Sequence, residues 1–441
     1  MIDHALADST VKASPPIYPH SWREIINGTL EEQFVLVTLG SLNELIQPDF
    51  VPSTEHIQLL LYLALNHSTH NIPPELPIQT LSKILSLHQP ISFAQAIPFH
   101  PSATGSKEQD PIWLQWDYKR SDLHRSIWKC MRGCEEEGVW ALIWEKEKDG
   151  SGGDKKRKRY SNLDEEEGRR DRKIGKEGWE LLGWLVSFWE KDRSERTEEI
   201  DTHVYSPLFV RQLPKPFDRT GQLPRNDASF PLTTLKAAYL TSKAGEEGER
   251  RKSIAVRLLL LVLDTASGTK PPFHPSSLSS SLIHTLRFFA ITDIQDIMRK
   301  LGRSRHWRIA CHILTLLFED SGGMRNTKLA QRRADKNLIK REFGSSSLDR
   351  PTARYLFEEL IPLLGVTRDV HVDNEARMIM LLLELLSIMK VQAYDAEDLQ
   401  DIRKKYKGNR EWWDKMDCSM DAEKLKTPYV MLLKRCIKNI L

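Results

Sequence analysis

Apolar residues recur every three or four positions through most of the chain, and the strict alternation that marks a half-buried strand is nearly absent. This spacing places apolar side chains along one face of an α-helix, so it predicts helices. The predicted helices are Thr54–Asn66, Pro77–Leu87, Ile254–Leu263, Ser281–Ala290, Thr292–Leu301, Trp307–Phe318, Thr352–Leu364, Asn374–Lys390, Ala396–Tyr406 and Thr427–Ile440. We therefore expect an all-α protein, either an irregular multi-helix bundle or a degenerate helix-pair solenoid, with disordered charged loop insertions.

Tryptophan residues lie on both sides of a charged stretch in the first half of the chain. Between Trp179 and Trp189 apolar residues cover the predicted helix almost all round, which predicts a buried helix. We expect Ser121–Glu147 and Lys176–Asp192 to pack together as a helical hairpin with the charged stretch at its tip. An aromatic cage for a methylated ammonium ligand is the functional alternative for these tryptophans, but their helical spacing favours packing in the core.

Changes in composition between the helices suggest the domain organisation. The expected regions, in chain order, are an N-terminal helical region 1–148, a disordered basic and acidic loop 149–176, a middle helical region 177–265 with a proline-rich extended segment 206–231, a Ser/Pro linker 266–281, and a C-terminal helical domain 282–441 with a basic patch.

Overall composition excludes several classes of protein. The chain has 441 residues, of which 40% are hydrophobic and 28% charged, so full disorder, collagen and a coiled-coil rod are disfavoured. Five scattered cysteines favour a reducing compartment, and the first thirty residues lack the pattern of a secretory signal. The longest apolar stretch, Met378–Met389, contains Glu384 and falls short of the roughly 20 residues that span a bilayer. No membrane partner is expected.

A run of five basic residues bears on location. Lys155, Lys156, Arg157, Lys158 and Arg159 follow a stretch of Gly, Ser and Asp that has too little apolar surface to fold. Such a run fits the acidic groove of an import receptor, so the sequence predicts nuclear localisation. The alternative is a solvated charge run that no receptor recognises.

The strongest local charge lies between Arg299 and Arg341, where twelve residues are Lys or Arg and three are Asp or Glu. Five of these cations are spaced by three or four and would share one face of a helix: Arg325, Lys328, Arg332, Lys336 and Lys340. Like charges at this spacing destabilise a helix unless an anionic partner offsets them. Phosphates of nucleic acid and an acidic protein surface are the two candidate partners, and a solvated face is the third possibility.

Motifs that carry chemistry are scarce. The sequence contains no phosphate-binding Gly-Lys-Ser/Thr loop, no Ca²⁺ loop, no His-Glu-x-x-His and no Gly-x-Ser-x-Gly. Cys130 and Cys134 are four residues apart, but no nearby residue completes a tetrahedral zinc site. We predict no metal, no cofactor, no catalytic residue and no small-molecule substrate.

One arrangement raises an enzymatic alternative. Some metal-independent helical-bundle ribonucleases use an arginine followed by a histidine after four to six residues, and Arg305 and His312 fit that spacing. About three such matches are expected by chance in a chain with 14 histidines, and a core histidine is the competing interpretation. The sequence thus favours a non-catalytic nuclear interaction or scaffold subunit of a chromatin-associated or RNA-processing complex, with other protein subunits as partners.

Overall fold

The computed structural model describes residues 15–100, 116, 119–145, 173–195, 205–214, 227–241, 245–266, 275–304, 306–321, 379–388, 404–405, 435 and 437. The chain divides into two compact units, 1–268 and 269–441. The described parts of both units consist of helices and connecting turns, with isolated β-bridges and no strand. The predicted all-α multi-helix fold is confirmed.

The first unit contains eleven of the described helices. They are α1 His20–Glu31, α2 Val35–Leu45, α3 Thr54–Asn66, α4 Glu75–Leu87, α5 Pro90–Phe93, α6 Asp122–Arg132, α7 Trp140–Ile143, α8 Lys176–Ser194, α9 Pro207–Val210, α10 Ser229–Leu240 and α11 Glu246–Ala266. The helix predicted at Thr54–Asn66 coincides with α3. Segment 206–231 is described at its two ends, and α9 at 207–210 and the start of α10 at 229–231 are helical rather than extended.

Helices α3 and α8 form the centre of the first unit. Both are apolar on several faces, and α3 packs against α4, α6 and α8. The rings of Trp140, Trp189 and Phe230 are buried together, with Trp140 stacked on Phe230 at a centroid distance of 5.4 Å. Trp179 and Trp184 are also buried, so core packing accounts for these tryptophans and an aromatic cage does not.

The predicted hairpin around the charged stretch is only partly correct. The short helix α7 packs on α8, whereas α6 packs mainly on α3 and α1. Trp144 and Ile174 form an antiparallel bridge, and the Glu145 amide donates to the Lys173 carbonyl oxygen at 2.9 Å. Residues 146–172 therefore leave and re-enter the fold at adjacent points.

The second unit contains α12 Pro275–Leu286, α13 Ile291–Gly302, α14 Trp307–Ser321 and a helical segment α15 at 379–388. Helix α14 contacts both α12 and α13. Gly302 brings α13 close to α15, since a Cβ atom there would lie 2.6 Å from Cγ1 of Ile388. The prediction of Ser281–Ala290 was shifted, because α12 begins six residues earlier.

Three other predicted C-terminal helices fall largely outside the described residues. Thr352–Leu364 lies wholly outside them, and Ala396–Tyr406 and Thr427–Ile440 are described only at 404–405, 435 and 437, where the backbone is helical. Within the described residues, no helix is both long enough and apolar enough to cross a membrane.

Candidate interaction surface

The charged residues that the sequence singled out are not described by the structure. Lys155, Lys156, Arg157, Lys158 and Arg159 lie outside the described residues, as do Arg325, Lys328, Arg332, Lys336, Lys340 and Arg305. Their proposed roles remain predictions from the sequence.

The N-terminal end of the basic region is described, and acidic residues there reduce its charge. The guanidinium of Arg299 donates to Glu384 Oε2 at 3.3 Å, across 85 residues of sequence. Lys300 Nζ lies 2.7 Å from Asp296 Oδ2 on the same helix. These two ion pairs make the net positive charge at the start of the stretch Arg299–Arg341 smaller than its composition implies.

Glu384 is an unusual carboxyl group, because only 7% of its side chain is exposed. Burial raises its pKa above the ordinary glutamate value, and the nearby Arg299 and Arg303 oppose that rise. The ion pair across α13 and α15 thus joins a buried carboxyl group to a half-exposed guanidinium.

The histidine of the ribonuclease alternative lies in α14. His312 has intermediate exposure as a residue, and burial of its ring lowers its pKa to about 4. The neighbouring Cys311 thiol is buried, which raises its pKa to about 12. The His312 ring is thus neutral near pH 7, although the residue as a whole keeps intermediate exposure.

The surface of the first unit carries a groove that we call the α2–α6 groove. It has a volume of about 480 Å³ and is lined by the turn at 33–34, the start of α2 at 35–37, residues 69–71 and the first turns of α6. Phe34, Leu36 and Val37 line it with side chains that are 55–56% exposed. An apolar surface of this kind is common where another molecule docks.

Phe34 lies in the turn that joins α1 to α2. The Phe34 amide donates to the carbonyl oxygen of Thr29, and the Gln33 amide donates to that of Leu30, each at 3.0 Å. These two bonds form a Schellman motif that ends α1, with Gln33 in the left-handed position at φ 62°. Glycine usually occupies that position, so a glutamine there carries backbone strain.

A second residue with a left-handed backbone conformation lies on the opposite side of the groove. Asn71, with φ 53°, follows the 3₁₀ turn His67–His70 and lines the groove with His70. His70 Nε2 lies 3.2 Å from the Tyr62 hydroxyl, and partial burial lowers the His70 pKa and raises the Tyr62 pKa. Both groups are therefore neutral at physiological pH, which leaves this wall polar and uncharged.

Helix α6 begins at the groove and carries a charged outer face. Ser121 caps it by accepting from the His124 amide at 3.2 Å, and the Ser121 hydroxyl lies 2.7 Å from His124 Nδ1. Leu123, Ile127 and Met131 are buried on the inner face. The outer face carries exposed cations and one partly exposed ring: Arg125, Trp128, Lys129 and Arg132. The Arg132 guanidinium lies 5.0 Å from the centroid of that ring.

Sequence reasoning missed both the groove and the α6 face, since the groove combines three segments that are far apart in the chain. One signal was present in the run Phe34-Val35-Leu36-Val37, because no single helix face can bury four consecutive apolar residues. The described residues contain no cluster of three or more His, Cys, Asp or Glu side chains that could hold a metal ion. No protein-family model, no curated protein and no solved structure matches this chain.

Proposed function

We propose that this chain is a non-catalytic interaction protein, a nuclear subunit of a chromatin-associated or RNA-processing complex. The α2–α6 groove carries the proposal, because Phe34, Leu36 and Val37 are more than half exposed there. Exposing three neighbouring apolar side chains in an otherwise packed helical unit costs free energy, which an apolar segment of another subunit would recover by covering them.

Two further features support the proposal. The basic run Lys155–Arg159 is suited to an import receptor, which gives the nuclear part of the assignment. Nucleic acid or an acidic protein is the expected second partner, through the cations Arg325, Lys328, Arg332, Lys336 and Lys340. The lowered pKa of His312, about 4, weakens the ribonuclease alternative, because a ring with that pKa is a weak general base toward the 2′-hydroxyl of RNA.

The experiment compares proteins that co-purify with the full chain from a nuclear extract. The triple variant Phe34→Gln, Leu36→Gln and Val37→Gln should lose one or more specific partners while retaining its melting temperature, because these side chains are already exposed. A matched control replaces Ile91 and Leu240 with Gln, two exposed apolar residues outside the groove. If both variants keep the same partners as the wild type, the groove is not the docking site and the proposal loses its support.

A further inference from the structure

We infer that the α2–α6 groove, together with the exposed face of α2, binds a basic amphipathic helix that another subunit supplies. The inference rests on the proposed function, because it names the kind of segment that covers the groove. Three properties of this surface carry it: exposed apolar side chains, a glycine with open space around it, and a negative charge that no cation of the described residues neutralises.

The exposed face of α2 is apolar at its start and acidic at its end. Leu36 and Val37 are 56% and 55% exposed, and Gly40 and Glu44 are exposed as well. Val37, Gly40 and Glu44 stand three and four residues apart, so they follow one face of the helix. The stretch from Leu36 to Glu44 is about 12 Å long. Apolar anchors at positions i, i+3 or i+4, and i+7 of a docked helix cover about the same length.

Gly40 leaves room for the backbone of a partner. A Cβ atom at Gly40 would meet nothing within 4 Å beyond its own stretch of helix, so packing within the chain does not require glycine there. Alanine is more favourable than glycine inside a helix, so this glycine lowers the stability of the isolated chain. The gap beside Val37 allows a second helix to approach α2 closely and to cover Leu36 and Val37.

The charge around this face favours a basic partner. Residues 15–50 contain five carboxylates and one guanidinium, that of Arg23, which pairs with Glu55 at 3.3 Å. Glu32 lies just before the groove and Glu44 lies at the end of the exposed face, and within the described residues no cation pairs with either of them. Lys or Arg on a docked helix would complement these two carboxylates, whereas an acidic helix would be repelled.

Two ion pairs beside the groove are closed within the chain. Arg120 lies 3.3 Å from Glu31, and Arg125 lies 3.0 Å from Asp122. Neither pair carries a net charge, so neither favours a basic over an acidic partner.

Two further cations leave the balance at this surface negative. Lys129 stands a turn beyond Ser126, the last residue of α6 that lines the groove. Lys83 belongs to α4 and donates to the carbonyl oxygen of Asn43 at 2.6 Å, where its charge offsets the negative end of the α2 dipole. The carboxylates at the two ends of the apolar residues are therefore the charges that a partner can neutralise.

The test measures binding of the full chain to three fluorescent peptides of about 14 residues by fluorescence anisotropy. The first is an amphipathic helix of Leu and Lys with Leu at i, i+3, i+4 and i+7, the second has Glu at every Lys position, and the third is a scrambled form of the first without an apolar face. The wild type should bind the Lys peptide about ten-fold more tightly than either of the others. The preference for Lys over Glu should shrink as salt is raised.

The acidic residues are tested with a double variant. Glu32→Gln with Glu44→Gln should weaken binding of the Lys peptide about five-fold and should not weaken binding of the Glu peptide. The control Glu136→Gln with Glu246→Gln removes two exposed carboxylates outside this surface and should leave both affinities unchanged.

Gly40 gives a test in which stability and binding change in opposite directions. Gly40→Ala should raise the melting temperature, because alanine favours the helix, and should weaken binding of the Lys peptide, because its methyl group enters the gap. Gly40→Leu should abolish binding while the fold is retained. Gly28→Leu is the matched control at an equally open glycine of α1 and should bind the Lys peptide as the wild type does.

Several outcomes would overturn the inference: equal affinity for the Lys and Glu peptides, tighter binding of the Glu peptide, no binding of either, or full binding by Gly40→Leu. A wild-type dimer in sedimentation equilibrium that Gly40→Leu abolishes would identify a second copy of this chain as the occupant and would also overturn it. In each case the proposed function stands if the triple variant of Phe34, Leu36 and Val37 loses its co-purifying subunits. It loses its support only if that variant keeps them.

Discussion

The ammonium group of Lys191 donates to the carbonyl oxygen of His88 at 2.9 Å, joining α8 to the chain just after α4. The same group also donates to the carbonyl oxygen of Leu85. These carbonyl oxygens belong to the C-terminal end of α4, where the helix dipole is negative and a cation is favourable. A residue in α8 therefore caps a helix that lies about a hundred positions earlier in the chain.

Lys191→Met should lower the free energy of unfolding by about 1–3 kcal/mol, because it leaves the oxygens of Leu85 and His88 without their charged donor. Urea denaturation of the full chain measures this loss. Lys176→Met, at the exposed start of the same helix, is the matched control and should change stability by less than about 0.5 kcal/mol. Equal effects of the two substitutions would show that the cap contributes nothing.

Gln33→Gly should raise the melting temperature. Glycine adopts the left-handed conformation without the Cβ clash that Gln33 carries at φ 62°, and the expected gain is about 1 kcal/mol. Asn71→Gly is the control at φ 53°, where asparagine already tolerates this conformation and the gain should be smaller. A lower melting temperature for Gln33→Gly would mean that the Gln33 side chain stabilises the fold by more than its backbone strain destabilises it.

His56 makes the stability of the first unit depend on pH. Its ring is fully buried and stacks on Tyr18. Nε2 lies 2.9 Å from Asn27 Oδ1, an acceptor, so Nε2 carries the proton. Nδ1 has no hydrogen-bond partner. Burial lowers its pKa to about 3 from the ordinary 6.5. Because the unfolded chain takes up this proton more readily, stability is full above pH 6.5 and is lost as the pH falls toward 3.

Between pH 7 and pH 5 the free energy of unfolding should therefore fall by about 2 kcal/mol because of His56. This corresponds to about 1.36 kcal/mol for each pH unit below 6.5. His56→Gln should remove that share of the pH dependence. A His56→Gln slope equal to that of the wild type would contradict the assignment.

His312→Ala tests the ribonuclease alternative. Burial lowers the pKa of the His312 ring to about 4, and truncating a ring in such surroundings should lower stability by about 1–3 kcal/mol. Purified wild-type protein should leave labelled RNA intact at neutral pH. Cleavage by the wild type that disappears in a folded His312→Ala variant would establish the enzyme and reject the interpretation of His312 as a core residue.

Replacing Lys155, Lys156, Arg157 and Lys158 with Ala should move a fluorescently tagged protein from the nucleus toward the cytoplasm. The melting temperature should be unchanged, since charge runs of this composition contribute little to a core. A control that exchanges the same four positions between Lys and Arg keeps the charge and should remain nuclear. Nuclear accumulation of the alanine variant equal to the wild type would remove the localisation assignment.

Periodic helices were the part of the fold that sequence could predict. Thr54–Asn66 matched α3 because Ser53, Thr54 and a regular apolar pattern mark its start and faces. Helix α2 was missed because its apolar residues are not confined to one face, and this irregularity is what exposes Leu36 and Val37. Segment 206–231 was predicted to be extended because it holds five prolines and few periodic apolar residues, but proline is tolerated in the first turn of a helix, where Pro207 and Pro231 stand in α9 and α10.

The candidate surfaces depend on relationships that a linear pattern does not contain. Glu384 neutralises Arg299 only because two helices that are 85 residues apart pack together. The α6 cations were visible in the sequence, yet their exposure follows from the burial of Leu123 and Ile127 on α3. Charge counts along the chain therefore overestimated the net charge at the described start of the basic region.

The antiparallel bridge between Trp144 and Ile174 also bears on how this chain can evolve and be engineered. Because the main chain departs and returns at neighbouring points, the bridge itself requires no particular number of residues between α7 and α8. Insertions, deletions and changes of composition between 146 and 172 are thus expected to accumulate without loss of the fold. The same position offers a place to graft a reporter domain or an affinity tag into the interior of the sequence.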